Sequence, residues 1–248
     1  MTQRTNSLPV RAVVIVPTYN EIENLPPLVE QLLGLRASLG VIVVDDNSPD
    51  GTGQLADQLA AKHPEVEVIH RPGKLGLGTA YRAGFARALE RGAPLVLTMD
   101  ADFSHHPRYI PAMLGRAADC HLVIGSRYIG GGGAVGCTLP RIALSRGANL
   151  FAKVLLGLRA SDCTAGFRCY QRVVLQTIGP DTVLSEGYSF LIEMLYRVQQ
   201  AGFQTGEVPI LFANRQHGAS KISRREVARA VATVLRLWSG RSPQRRER

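Results

Sequence analysis

The chain has 248 residues, 45% of them hydrophobic and 20% charged, with a mean hydropathy of +0.01, which is the balance of a globular domain and not of a disordered or bilayer-spanning chain. No run approaches the roughly eighteen uninterrupted apolar residues of a spanning helix, Thr2 to Pro9 lacks the apolar centre of a secretory leader, and Cys120, Cys137, Cys163 and Cys169 have neither the spacing of a zinc site nor the context of a disulfide framework. The net charge of +9 is uneven: Arg215 to Arg248 holds ten basic and two acidic residues, so the C-terminal end asks for an anionic partner, lipid headgroups or nucleic acid.

In chain order, residues 1–9 read as an N-terminal extension. Val10 to Val16 is a β-branched strand ended by Pro17-Thr18-Tyr19-Asn20-Glu21. Asn24 to Leu39 has helical spacing with its prolines confined to the first turn. Val41 to Val44 is a second buried strand, running into Asp45-Asp46-Asn47-Ser48-Pro49-Asp50. A helix to about Lys62 and a strand from Val66 to His70 complete a βαβα pattern, which means right-handed crossovers and a parallel sheet. Arg71 to Gly78 opens a helix to about Arg91; it has neither the spacing of a dinucleotide fingerprint nor that of a P-loop, and Lys74 there reads as a solvated or phosphate-facing charge.

Pro94 to Asp102 is a strand apolar on both faces that ends in Asp100-Ala101-Asp102. A helix follows from Ser104 and Pro107, and His105 and His106 are read as structural. Leu122 to Gly125 is a strand, Gly130 to Gly133 a mobile loop closing over substrate or else a surface linker, and Arg141 to Leu158 a helix suited either to a membrane interface or to the core. Phe167 to Tyr170 is a short strand, Tyr188 to Gln200 an amphipathic helix, and Glu207 to Phe212 an edge strand. An Arg-rich helix then runs to about Ser239, and residues 240–248 form a disordered basic tail. The expected organisation is one domain, residues 10–239.

Three strands thus end on polar clusters that a parallel sheet gathers on one edge, where α/β sheets bind ligands. While the chain stays extended, Asp100 and Asp102 face the same way. Two hard carboxylates so close call for a cation, and Mg²⁺ or Mn²⁺ completed by substrate phosphates fits; alone, the pair could simply close a strand. Asp46 can accept from a base N–H and Tyr19 can stack on a base or ribose. Arg127, Arg141, Arg215 and Lys221, each in a loop or at a helix start, suit phosphate oxygens.

Seven motifs in order then resemble the dolichol-phosphate (polyprenol-phosphate) mannose synthases of glycosyltransferase family 2: Pro17 to Glu21, Val44 to Thr52, Met99 to Pro107, Gly125 to Tyr128, Ser145 to Asn149, Gly166 to Arg168 and Gly218 to Lys221. The resemblance implies an A-type glycosyltransferase fold, an α/β single domain with a Rossmann-like, mostly parallel sheet flanked by helices. It implies inverting, metal-dependent transfer of mannose from GDP-mannose to a polyprenyl phosphate. Pro17, Tyr19, Glu21, Val44 and Asp46 would hold the nucleoside, Asp100 and Asp102 the cation with Ala101 beside the nucleotide, Arg215 and Lys221 the diphosphate, and Arg127, Arg141 and Ser145 the acceptor phosphate. Of these, Asp100, Asp102, Arg127 and Lys221 would carry catalysis. A peripheral place on the cytoplasmic face of a membrane is expected, and the family also brings membrane-anchoring partner proteins. The rival within the same chemistry is a UDP-glucose-dependent polyprenyl-phosphate glucosyltransferase. A nucleic-acid module would leave the acidic strand ends unexplained and lacks interleaved aromatics for base stacking, so no nucleic-acid partner is expected.

Overall fold

The computed structural model describes residues 11–35, 37–213 and 224–240. Its centre is the pairing of β1 (Ala12–Thr18) with β2 (Leu39–Asp45), parallel and in register from Ala12 opposite Leu39 to Thr18 opposite Asp45. On the other side of β1 lies β4 (Leu95–Thr98), parallel again, with Ile15 opposite Thr98. β3 (Val66–His70) flanks β2. Beyond β4 come β7 (Arg168–Gln171), β5 (Leu122–Ser126) and β8 (Thr205–Pro209). β7 runs antiparallel to both its neighbours, so β5 points the same way as β4. The sheet order is β3-β2-β1-β4-β7-β5-β8, with a second, two-stranded sheet of β6 (Gly133–Val135) and β9 (Leu211–Ala213).

Both faces of the sheet are covered, which is why its strands are apolar throughout and do not alternate. Side chains along a strand point to opposite faces. Val13 and Ile15 accordingly enter one core with Tyr81 and Phe85 of α3 (Leu77–Glu90), the helix α6 (Arg172–Ile178) and Phe190 of α7 (Tyr188–Gln200). Ala12, Val14 and Val16 enter the other, with Leu25, Leu28 and Leu32 of α1 (Leu25–Gly34), Ala56 of α2 (Thr52–Lys62) and Ile110 and Met113 of α4 (Ile110–Arg116). α5 (Leu139–Leu156) and α8 (Arg224–Trp238) close the first core.

Several sequence expectations change. The sheet is parallel except for β7, and α6 has no counterpart in the sequence reading. The segment Glu207 to Phe212 is split: β8 edges the main sheet and β9 serves the small one. The Gly130–Gly133 run is not an open loop. Gly132 donates its N–H to the Ile129 carbonyl at 2.9 Å, Gly133 begins β6, and a Cβ at Gly132 would stand 2.6 Å from the Ser126 carbonyl oxygen. At Gly132 the missing Cβ permits close backbone packing. The four cysteines are free and three are buried; burial pushes the Cys163 and Cys169 thiols up to about 12.

α8 is held to the body by a buried carboxylate. Glu193 of α7 is fully buried; its Oε1 accepts from Arg197 Nη2 at 2.7 Å and its Oε2 from Arg236 Nη2 of α8 at 2.5 Å, with Ser185 Oγ donating to the same oxygen. Burial alone would raise this carboxyl, but the Ser185 and Arg197 hydrogen bonds and the Arg236 charge outweigh it and hold it below the ordinary glutamate range.

Two outcomes follow from this packing. α3 crosses β1 so closely that a Cβ on Gly84 would overlap the Ile15 side chain; Gly84→Ala should cost about 1–3 kcal/mol by denaturant titration, as overpacking does, and an unchanged midpoint would contradict the close approach. Glu193→Gln should cost about 3 kcal/mol at neutral pH, because it leaves the buried Arg197 and the partly exposed Arg236 unmatched. Because the folded carboxyl is depressed, its contribution is present above the unfolded value of about 4.3 and fades as pH falls through the lower folded one. The variant should therefore show a flatter acid limb below about pH 4 in thermal melts across pH.

Candidate active site

β1, β2, β4 and β5 all end on one edge of the sheet. At the β2 end, Asp45 works as a knot: it accepts from Thr18 Oγ1 at 3.0 Å and from the Ser48 amide and hydroxyl at 3.0 and 2.5 Å. Asp50 likewise accepts from the Thr52 amide and hydroxyl and from the Ile22 amide. Burial opposes its charge slightly, yet these donors hold the Asp50 carboxyl below the usual range. The loops after β1 and β2 are therefore tied to each other, and Asn20 and Asn47 take left-handed backbone to turn them.

Asp46 sits inside this knot. Its carboxylate is buried against Arg71, 2.9 Å away, and accepts from the Leu75 amide at 3.2 Å. Burial pushes the Asp46 carboxyl up against the opposing pull of Arg71. Arg71 also donates to Thr79 Oγ1 at 2.5 Å. The sequence reading missed Arg71, although its place directly after β3, on the same sheet edge, was the available signal. Tyr19 is half-buried, and the exposed Lys74 holds its Nζ 3.9 Å from the Tyr19 ring centroid. Pro17 and Glu21 flank this rim, Glu21 accepting from Asn24 Nδ2 at 2.7 Å. Val44 and Ala101 are buried in the two cores, so neither offers side-chain surface to a ligand.

At the β4 end the ladder stops at Thr98, with one further bond from the Met99 amide to Ile15. The chain bends from Ala101, and Phe103 has a φ of 58°, so the two aspartates lie beyond the extended strand that the sequence reading assumed. Their environments differ. Asp102 is buried and accepts from the Ser104 amide at 3.0 Å. The Asp100 carboxylate is partly exposed, receives the buried Tyr81 hydroxyl at 3.5 Å, and its amide donates to His105 Nδ1 at 3.2 Å. That bond leaves His105 neutral with its proton on Nε2, in keeping with burial pushing its pKa down. His105 stacks on Phe167 and His106 caps the following turn, both structural.

Asp100, Arg127, Arg141 and Ser145 line one cavity of about 640 Å³. Arg127 follows β5; Arg141 and Ser145 lie on the first turns of α5, where Ser145 Oγ is 2.8 Å from the Tyr128 hydroxyl. The same cavity is also lined by apolar side chains: Phe151 of α5, Leu191 and Ile192 of α7, Val227, Val231 and Val234 of α8. Its lining thus combines groups suited to phosphate with surface suited to hydrocarbon. Arg215 and Lys221 lie outside the described residues, as do residues 1–9 and 241–248.

The two carboxylates suit a hard cation in donor chemistry. Among the described residues no group of three or more His, Cys, Asp or Glu could hold a metal ion.

Known proteins bear on this arrangement. The chain is 44% identical over 236 residues to the undecaprenyl-phosphate mannosyltransferase of Micrococcus luteus, covering 93% of this chain and 97% of that one. It is 45% identical over 226 residues to the polyprenol monophosphomannose synthase of Mycolicibacterium smegmatis, covering 90% and 85%. Among solved structures, a mannosyltransferase from Pyrobaculum calidifontis in complex with GDP-Man and Mn²⁺ superposes with a TM-score of 0.60 at 18% identity, over 96% of this chain and 65% of that one; this likeness shows the fold. A family model described as glycosyl transferase family 2 matches residues 13–179, and with that match and those relatives the chain belongs to glycosyl transferase family 2.

Proposed function

We propose that this chain transfers mannose from GDP-mannose to a polyprenyl phosphate with inversion at the anomeric carbon. The observation that carries this is the cavity whose lining combines Asp100, Arg127, Arg141 and Ser145 with apolar side chains of α5, α7 and α8. An acceptor with a phosphate head and a hydrocarbon tail matches that mixed lining. The names of the two relatives support mannose as the sugar and a polyprenyl phosphate as the acceptor, and the GDP-Man of the structural neighbour supports the donor.

The chemistry follows from charge. A phosphate monoester with a second pKa near ~6 is mostly dianionic at neutral pH, so the acceptor needs no general base. Its oxygen attacks the anomeric carbon on the face opposite the nucleotide, the bond to GDP breaks, and the configuration inverts. The obstacle is repulsion between a dianion and an anionic donor. Arg141 and Arg127 hold and orient the acceptor phosphate, with the Ser145 hydroxyl as a further donor. Asp46, with Arg71 beside it, and Tyr19 form the wall for the nucleoside. The apolar surfaces of α5, α7 and α8 keep water from competing as nucleophile. Asp100 and Asp102 would hold Mg²⁺ or Mn²⁺, which stabilises charge on the departing diphosphate when bound. Arg215 and Lys221 keep their proposed place on that diphosphate.

Among the described residues no helix is long and apolar enough to cross a membrane. Yet α5 exposes Leu139, Leu150 and Val154 at 81%, 61% and 70%, and α8 exposes Trp238 at 63%. α5 also carries Arg146 and Lys153, a composition suited to an anionic lipid surface. We therefore place the protein peripherally on the cytoplasmic face of a membrane, where its acceptor's tail resides.

The deciding assay offers GDP-mannose or UDP-glucose with polyprenyl phosphate, with and without EDTA, and measures glycolipid. GDP-mannose should be the donor used and EDTA should abolish product; product from UDP-glucose alone would install the glucosyl rival. Asp102→Ala and Asp100→Ala should each lose at least about a hundredfold in kcat, on the order of 2.7 kcal/mol. Sedimentation with anionic liposomes should pull down the protein, and Leu150→Asp with Val154→Asp should weaken it; equal binding by that double variant would remove α5 from the membrane contact.

A further inference from the structure

Arg127 reaches the cavity already engaged. Its Nε and Nη2 donate to Asp162 Oδ2 and Oδ1 at 2.7 and 2.8 Å, and Nη2 donates again to Thr164 Oγ1 at 2.8 Å. The Arg127 amide donates to the same carboxylate at 3.1 Å. Nη1 is the one guanidinium nitrogen left without a hydrogen bond among the described residues. The Asp162 side chain is fully buried while that of Arg127 keeps 15% of its surface, so the carboxylate itself never meets a ligand. Burial opposes both charges, but their mutual attraction wins, holding the Asp162 carboxyl low and the Arg127 guanidinium high.

The loop that carries Asp162 is clamped from two further elements. Glu207 of β8 accepts the Ser161 and Asp162 amides at 2.9 and 3.1 Å. Asn149 of α5 donates to the Ser161 carbonyl and accepts from the Cys163 amide, both at 2.6 Å. α5 also carries Arg141 and Ser145, so one clamp registers the whole acceptor wall. Such over-determination is what a group held to a fraction of an ångström requires.

We propose that Asp162 is a positioning residue for the transfer: it grips Arg127 by its Nε–Nη2 edge so that Nη1 alone is offered to the acceptor phosphate, and it offsets the Arg127 charge. Arg127 then supplies direction more than charge. Freed from Asp162, Arg127 becomes an extra cation that binds phosphate in unproductive poses, strengthening the ground state while weakening the transition state.

This rests on the transferase reading, and the test separates the two. With GDP-mannose and polyprenyl phosphate, Asp162→Asn should lower kcat about tenfold or more, leave the KM for GDP-mannose unchanged, and leave the KM for the acceptor equal or lower. In an Arg127→Ala background the same substitution should add no further loss, because Asp162 acts only through Arg127. Near-UV circular dichroism reports whether each variant keeps its native packing. Should Asp162→Asn fail to fold, Thr164→Val keeps the carboxylate paired and should show the same pattern at about threefold. Wild-type kcat in the variant, a raised KM for both substrates, or an equal loss in the Arg127→Ala background would each overturn the proposal. A wild-type enzyme that makes no glycolipid would instead overturn the transferase reading.

Discussion

The parallel register of β2, β1 and β4 is the constraint on which the remaining geometry depends. Thr18 lies opposite Asp45 and Ile15 opposite Thr98, so the ladder itself decides where each strand gives way to polar loop. Because the strands are buried on both faces, a one-residue slip would exchange Val13 and Ile15 with Ala12 and Val14 between two differently shaped cores. The positions of Asp46 and Asp100 are thereby specified by apolar packing far from the chemistry. The polar rim is precise because the hydrocarbon behind it has one way to fit.

The rim is built from pairs more than from lone charges. Asp46 faces Arg71, Arg127 faces Asp162, and Glu193 faces Arg197 and Arg236. Buried pairs of this kind contribute little net stability, since each ion must first leave water. What they contribute is placement. Each joins elements distant in the chain: β2 to the loop after β3, the loop after β5 to the one before β7, α7 to α8. A cavity whose lining mixes charged and apolar side chains needs such staples to hold its charged groups in place.

The chain announces its architecture where a single residue type answers to a single force. Strands such as Val41 to Val44 are apolar because both faces are covered, and the structure differs there by extending β2 to Leu39–Asp45. Helix α7 has the bounds its periodicity predicts, Tyr188–Gln200. The acid-bearing strand ends were legible for the same reason: apolar runs that stop at carboxylates stop on one edge. Contacts across topology were not legible. Nothing local in Ser161-Asp162-Cys163 says that its carboxylate will hold an arginine 35 residues earlier. The reversed direction of β7 is likewise decided by its neighbours, because four residues such as Arg168 to Gln171 carry no sign of orientation. The glycine run was misread because conformational entropy, which favours a loop, yields to backbone contact when Gly132 must pass close to the Ser126 carbonyl. Asp100 and Asp102 were read as a matched pair, yet the bend after Ala101 gives them unequal surroundings.

α8 is the last of the described elements along the chain, yet it supplies one wall of the cavity and the Arg236 end of the Glu193 pair. During synthesis the sheet, the second core and the rest of the cavity lining can therefore assemble before α8 exists. Until α8 emerges, an oily groove lies open and a carboxylate meant for two arginines has only one. Completion of the enzyme and concealment of its most adhesive surface are then the same late event, so a chain cut short upstream of α8 would be both inactive and prone to stick.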